Sequence, residues 1–193
     1  IWAGRFAPAG FLVVLFLLGF FQIQNDDFWI HLSHGRWMAE QGRVPRVDPY
    51  SFTQAGKPWV YHGWLFGLLL YEGYIHLGPA VLVVLKALLG AAAFGLLYQA
   101  LRSRETGEVW AVLLVLLAAG LGRDLLQLRS QTMGLFFFCF FLWALERWRA
   151  GDIDIVVITS VDSLHALAGL LGADGRALLA ATPAVVMSER VAE

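Results

Sequence analysis

Residues 136–160 read FFFCFFLWALERWRAGDIDIVVITS, and within them the chemistry of the chain changes. Up to Trp148 the run is aromatic and helical in character, with apolar residues on every side of a turn. From Asp152 it becomes a short β-branched run between polar residues, the pattern of a buried parallel strand. The same seam divides the composition. All 27 aromatic residues lie at or before Trp148, residues 1–151 carry 12 Lys/Arg against 9 Asp/Glu, and residues 152–193 carry 2 against 6. Two domains are therefore expected: a helical membrane region over 1–150 and a partial α/β unit over 151–193.

Outward on the N-terminal side, the 193 residues are 59% hydrophobic and 15% charged, against about 25% charged in ordinary soluble domains. One cysteine and a formal net charge of −1 exclude a disulfide scaffold and a basic nucleic-acid arm. Gly10 to Phe21, GFLVVLFLLGFF, is continuously apolar inside the uncharged stretch Phe6 to Asn25 and reads as a first transmembrane helix, a secretory signal peptide being the rival. His62 to Leu77, Pro79 to Leu101, Val109 to Gly122 and Thr132 to Leu145 read as further spans. The fold class expected is thus mainly α, polytopic membrane helices (about five spans), followed by a small incomplete α/β (β-α-α-β-α) piece. Glu72 and Lys86 fall within the spans, where ionisable groups face a bundle interior or a cavity. The Phe run 136–141 spares no face and predicts lipid-facing or packed helix, with Cys139 packed in it.

Between the first two spans, Gln24 to Tyr61 is polar and rich in aromatics. Pro45, Pro49 and Pro58 with Gly42 and Gly56 break it into turns, and His31 to Gln41 suits a short helix on the bilayer surface. Trp29, Trp37, Trp59 and Trp64 suit an interfacial belt. Asp26 and Asp27 are candidate catalytic carboxylates, or simply the end of the first helix. His31, His34 and His62 suit interfacial hydrogen bonding, and no metal-ligand spacing such as HExxH occurs. Arg129 and Gln131, ahead of an apolar run, suit either a phosphate contact or a helix end.

The string DDFWIHLSHGRWMAEQGRVPRVDPYSFTQAGKPWVYHGWL, with RSQTMGLFFFCFFLWALER later in the chain, resembles bacterial membrane proteins of the GT-C glycosyltransferase type over residues 8–150. The resemblance implies a lipid-phosphate sugar donor, a periplasmic loop over 24–61, and Asp26 or Asp27 as the catalytic or metal-contacting carboxylate. It further implies Arg129, Gln131 and His62 as substrate-binding candidates and a divalent metal as a possible cofactor. A carboxylate would take the proton of an acceptor hydroxyl while cations or the metal hold the leaving phosphate. The positive-inside count alone would put the loop in the cytoplasm, so orientation stays open.

Beyond the seam, IDIVVITSVDSLHALAGLLGADGRALLAATPAVVMSERVAE spaces Leu164, Leu167, Leu170 and Leu171 as a helix closed by Gly172. A second helix follows over Asp174 to Ala181, then a strand over Ala184 to Met187 and a helix opening at Ser188. This segment resembles the second domain of uroporphyrinogen-III synthase, an enzyme that closes hydroxymethylbilane into uroporphyrinogen III without a cofactor. The resemblance implies anion sites for the carboxylates of a tetrapyrrole, with Thr159, Ser160, Ser163 and Ser188 as substrate-binding candidates at helix starts; plain N-capping is the other reading of these residues. Taken together, the expectation is a multi-pass protein of the bacterial inner membrane with a C-terminal piece of cytoplasmic type. Its partners would be the lipid bilayer and a tetrapyrrole or lipid-linked sugar, with no nucleic acid. Both ends read as truncated and each site as incomplete, which predicts a chimeric chain inactive as it stands.

Overall fold

The computed structural model describes residues 3–186. Seven α-helices and one 3₁₀ turn lie among them, with a two-stranded sheet near the end: α1 (Ala3–Gly19), α2 (Asp26–Gln41), α3 (Trp64–Leu77), α4 (Pro79–Ser103), α5 (Glu108–Leu121), the 3₁₀ turn Arg123–Leu126, α6 (Ser130–Arg149), β1 (Val156–Ile158), α7 (Val161–Ala181) and β2 (Ala184–Val186).

The expectation of about five spans is overturned. Among the described residues, α4 alone is long and apolar enough to cross a membrane. Its 25 residues rise about 37 Å at 1.5 Å each, more than the roughly 30 Å of a hydrocarbon core. By the same measure the 14 residues of α3 and of α5 reach only about 21 Å. Glycines set these lengths: Gly78 closes α3 and Gly122 closes α5. The 17 residues of α1 reach about 26 Å by the same measure, and α6 ends in Glu146, Arg147 and Arg149. Apolarity alone had suggested spans where the chain turns back too early.

Two dry clusters hold the helices. Phe11 and Leu15 of α1, Ala91 and Phe94 of α4, Val115 and Ala119 of α5 and Leu126 of the 3₁₀ turn form the first. Phe28 of α2, Leu70 of α3, Leu82 of α4 and Leu128 form the second. Close approach of α2 to α3 depends on two glycines: a Cβ at Gly35 would collide with the Gly67 carbonyl, and one at Gly67 would lie 2.7 Å from Tyr61 Oη. Much apolar surface stays uncovered, including Leu12, Val13 and Leu17 on α1, Leu113 and Leu117 on α5, and Phe137, Phe138, Phe140 and Phe141 on α6. Patches on this scale in water-soluble monomers mark membrane or protein contacts.

Glu72 and Lys86 do not pair. Glu72 lies 3.2 Å from His76 one turn along α3, whereas Lys86 donates to the Phe21 carbonyl at 2.9 Å.

After the body, β1 and β2 run parallel, with Val156, Val157 and Ile158 opposite Ala184, Val185 and Val186. The connecting α7 is interrupted at Gly172, whose φ of 69° is open to glycine at no steric cost. Neither cluster of the body includes a residue of this tail. Trp148 Nε1, donating to Thr182 Oγ1 at 2.9 Å, and the Arg147–Asp152 ion pair at 3.2 Å tie it to the end of α6.

Candidate functional site

The long loop folds back on α2, and the candidate site forms at that helix's first turn. Asn25 caps it, its Oδ1 accepting from Phe28 N at 2.7 Å, so the helix starts five residues before the His31 that the sequence reading suggested. Both aspartates then sit in the first turn, where the partial positive charge of the exposed N–H groups favours carboxylates. Successive helical positions are turned about 100° apart. The two adjacent carboxylates therefore point in different directions. Asp26 is exposed, while Asp27 is half-buried and points to Arg129, with Oδ2 3.4 Å from Nε. Among the described residues no three His, Cys, Asp or Glu side chains converge into a metal-binding group.

Arg129 reaches Asp27 because the segment between the 3₁₀ turn and α6 is pinned from both sides. Leu128 is buried in the second cluster, and Gln127 Oε1 accepts from Gln24 N at 3.5 Å. The buried Thr132 hydroxyl donates to the Leu125 carbonyl at 3.0 Å and meets the Gln127 carbonyl as well. The geometry leaves Arg129 Nε buried without a hydrogen bond, so its link to Asp27 is an ion pair with donor capacity in reserve. Arg129 also stands at the N-cap of α6, whose first turn has no side-chain cap.

Behind the aspartates, one helical turn further along α2, lies an aromatic and histidine stack. His34 is buried, and its Nδ1 donates to the Ile30 carbonyl at 2.6 Å, which fixes the tautomer with Nδ1 protonated. Its ring stacks on Tyr61 at 4.5 Å between centroids, meets Tyr50 edge-on at 4.7 Å and lies 5.0 Å from Trp59. Tyr61 and His31 Nδ1 share a hydrogen bond. Burial pushes the Tyr61 hydroxyl up to about 12. His31 is held below the ordinary histidine value, chiefly by burial and to a lesser degree by His34, with Asp27 acting the other way. The stack is carried by a short hairpin in which Val47 bridges Pro58. Asp48 closes its turn by accepting from Tyr50 N at 2.9 Å and Ser51 N at 2.8 Å, and these two bonds draw its carboxyl below the usual range.

Of the candidates on the body, Asp27 and Arg129 are brought together. Gln131 is exposed and accepts only from Ser130 Oγ at 3.4 Å, and His62 is exposed ahead of α3 with no hydrogen bond or ion pair among the described residues. On the tail, Thr159 is exposed, and Ser160 caps α7 by accepting from Ser163 N at 3.1 Å, the two hydroxyls lying 2.8 Å apart. Ser188 and the helix it was expected to open lie outside the described residues. The sequence reading missed the joint role of His34, Tyr50, Trp59 and Tyr61. The alternation of Trp59 and Tyr61 in an extended run, facing His31 and His34 one turn apart, was the available signal.

A scan against family models and comparisons with curated proteins and with solved structures find no match.

Proposed function

We propose that the helical body is a transferase working at the water–bilayer boundary on a lipid-phosphate sugar donor, with the 24–61 loop on the periplasmic side. The observation that supports this reading is the Asp27–Arg129 pair, built from two distant segments at a half-buried helix start. At rest Asp27 is held by Arg129 in an ion pair. An arriving phosphate takes the reserve donors of Arg129, bidentate if both forks are used, and releases the Asp27 carboxylate toward the acceptor. The acceptor hydroxyl then attacks the anomeric carbon, its proton passes to Asp27, and the bond to the phosphate oxygen breaks with its electron pair on a leaving group held by Arg129. The Tyr61–His31–His34 stack fixes the position of α2 during this step.

Membranes containing the full chain, given radiolabelled lipid-phosphate sugars, test the reading. Asp27→Asn should lower transfer at least 100-fold, in line with the roughly 10²–10⁴-fold contribution of a positioned acid or base, while Asp26→Asn should change it little. Full activity of Asp27→Asn removes that carboxylate from the mechanism.

A second reading rests on the tail. It is supported by the tail's parallel strand pair, broken helical crossover and serine-capped strand-to-helix turn, beside the likeness to uroporphyrinogen-III synthase. In that reading Thr159, Ser160 and Ser163 meet a propionate or acetate of a tetrapyrrole at the start of α7. Conversion of hydroxymethylbilane by the purified chain would carry it, and absence of product would remove it.

A further inference from the structure

Lys86 is the most deeply buried charged residue described, 1% exposed in the first third of α4. A charge taken out of water persists only when paired or otherwise stabilised. Its ammonium has one carbonyl, that of Phe21 at 2.9 Å, and the face of the Phe21 ring, 3.3 Å from the centroid. A second cation, Arg123, stands over the same ring at 4.8 Å. No carboxylate pairs with either cation among the described residues. Carbonyl and ring contacts soften an ammonium without neutralising it, so two cations share this corner of the fold with no anion.

Lys86 lines a cavity of about 360 Å³ between α3 and α4, within the roughly 300–1,000 Å³ usual for ligand sites. Leu70, Leu82, Leu85, Leu89 and Leu128 line it too, and Lys86 is the charged residue of an otherwise apolar wall. Leu128 is followed directly by Arg129, which places the cavity next to the candidate site. We infer that this cavity holds the hydrocarbon chain of an anionic amphiphile whose head, a carboxylate or a phosphate, is drawn to Lys86. The inference goes beyond the transferase reading, because the occupant is bound whether or not a sugar is transferred.

Native mass spectrometry of the full chain in a neutral detergent, without any sugar donor, tests it. The probes are oleate, dioleoyl phosphatidate, dioleoyl phosphatidylcholine and inorganic phosphate. At least one of the two long-chain anions should bind one to one, tenfold or more tighter than phosphatidylcholine, and the tighter of them identifies the head. Inorganic phosphate, lacking a chain, should neither bind nor compete. Lys86→Met should weaken anion binding at least tenfold, and Leu89→Phe, which fills the cavity and leaves both cations in place, should weaken it as well. Equal binding of phosphatidylcholine, competition by inorganic phosphate, or undiminished binding in Leu89→Phe would each overturn the inference, even if Lys86→Met fails to fold. Absence of anion binding in the unaltered chain, with transfer intact, sinks this site alone, and loss of transfer in Asp27→Asn with binding intact leaves it standing.

Discussion

The helical body and the tail are held together by different means. In the body, helices far apart in sequence share dry clusters, and its polar links are made across long separations: Asp27 to Arg129, Lys86 to Phe21, and Arg104 to Glu146 through two bonds of 2.9 and 2.8 Å. The tail relies on neighbours: two strands of three residues, a serine cap, and a glycine break within its helix. Ile158 and Leu171 are its buried hydrophobics among the described residues, whereas Val157 and Val185 stay exposed. The difference shows what sidedness costs. A body that leaves apolar faces uncovered still builds interiors, because its helices are long enough to present a second face to one another. A unit with strands this short has few interior positions to fill.

The largest test of that contrast is a pair of core truncations followed by hydrogen exchange. Phe94→Ala removes a side chain 4% exposed between α1, α4 and α5 and should cost about 3–5 kcal/mol, with amides of those helices losing protection and tail amides unchanged. Ile158→Ala should cost about 2–3 kcal/mol, the lower part of the range because β1 pairs with one strand, and should deprotect the tail while the body keeps its protection. Equal loss in both regions after either change would mean that they unfold as one unit.

A second test is pH dependence confined to the body's loop. Burial holds His31 below 6.5 in the folded chain, with Asp27, His34, Tyr61 and Phe66 around it. As pH falls through 6.5 the unfolded chain takes up a proton that the folded chain resists, so loop stability should decline, then level off once both forms are protonated. Exchange of α2 amides between pH 7.5 and 5 reads this directly, and His31→Gln should flatten the profile. A loss that persists in His31→Gln belongs to another group.

How much of this was legible from residues alone differs between the regions too. The seam after Trp148 was plain, because composition and charge change together there. Gly172 was readable as a helix break because glycine tolerates positive φ where other residues do not. Span count was not legible: hydropathy reports apolarity, and helix length is set by Gly78 and Gly122 and by turns whose partners are remote. The first turn of α2 was missed because its signal is one asparagine, outvoted by the polar residues around it. The Asp27–Arg129 pair was half visible. Both residues stood out, yet nothing local says that residues so far apart in the chain meet; that follows from Leu128 packing against Phe28 and Leu70.

A smaller effect should follow from Ser160→Ala, which removes the acceptor for Ser163 N at the start of α7. Loss of such a cap costs about 1 kcal/mol, and here it should lower the tail's protection without touching that of α1 or α4. Ser160→Asp, which also caps, should restore most of it.

The smallest change separates contact from coupling. Trp148 is 4% exposed, and its indole N–H is the side-chain hydrogen-bond donor from body to tail, reaching Thr182 Oγ1. In Trp148→Phe the Thr182 hydroxyl still donates to the Leu178 carbonyl at 2.8 Å, so no buried donor is orphaned. The expected cost is the net value of one hydrogen bond, about 0.5–1.5 kcal/mol, and it should fall on the docking of the tail alone. Denaturant unfolding should show this as a shift of the tail's transition with the body's midpoint and slope unchanged. A shared shift in both transitions would mean that this one bond transmits stability across the seam. The body would then owe part of its stability to a unit with which it shares no hydrophobic cluster.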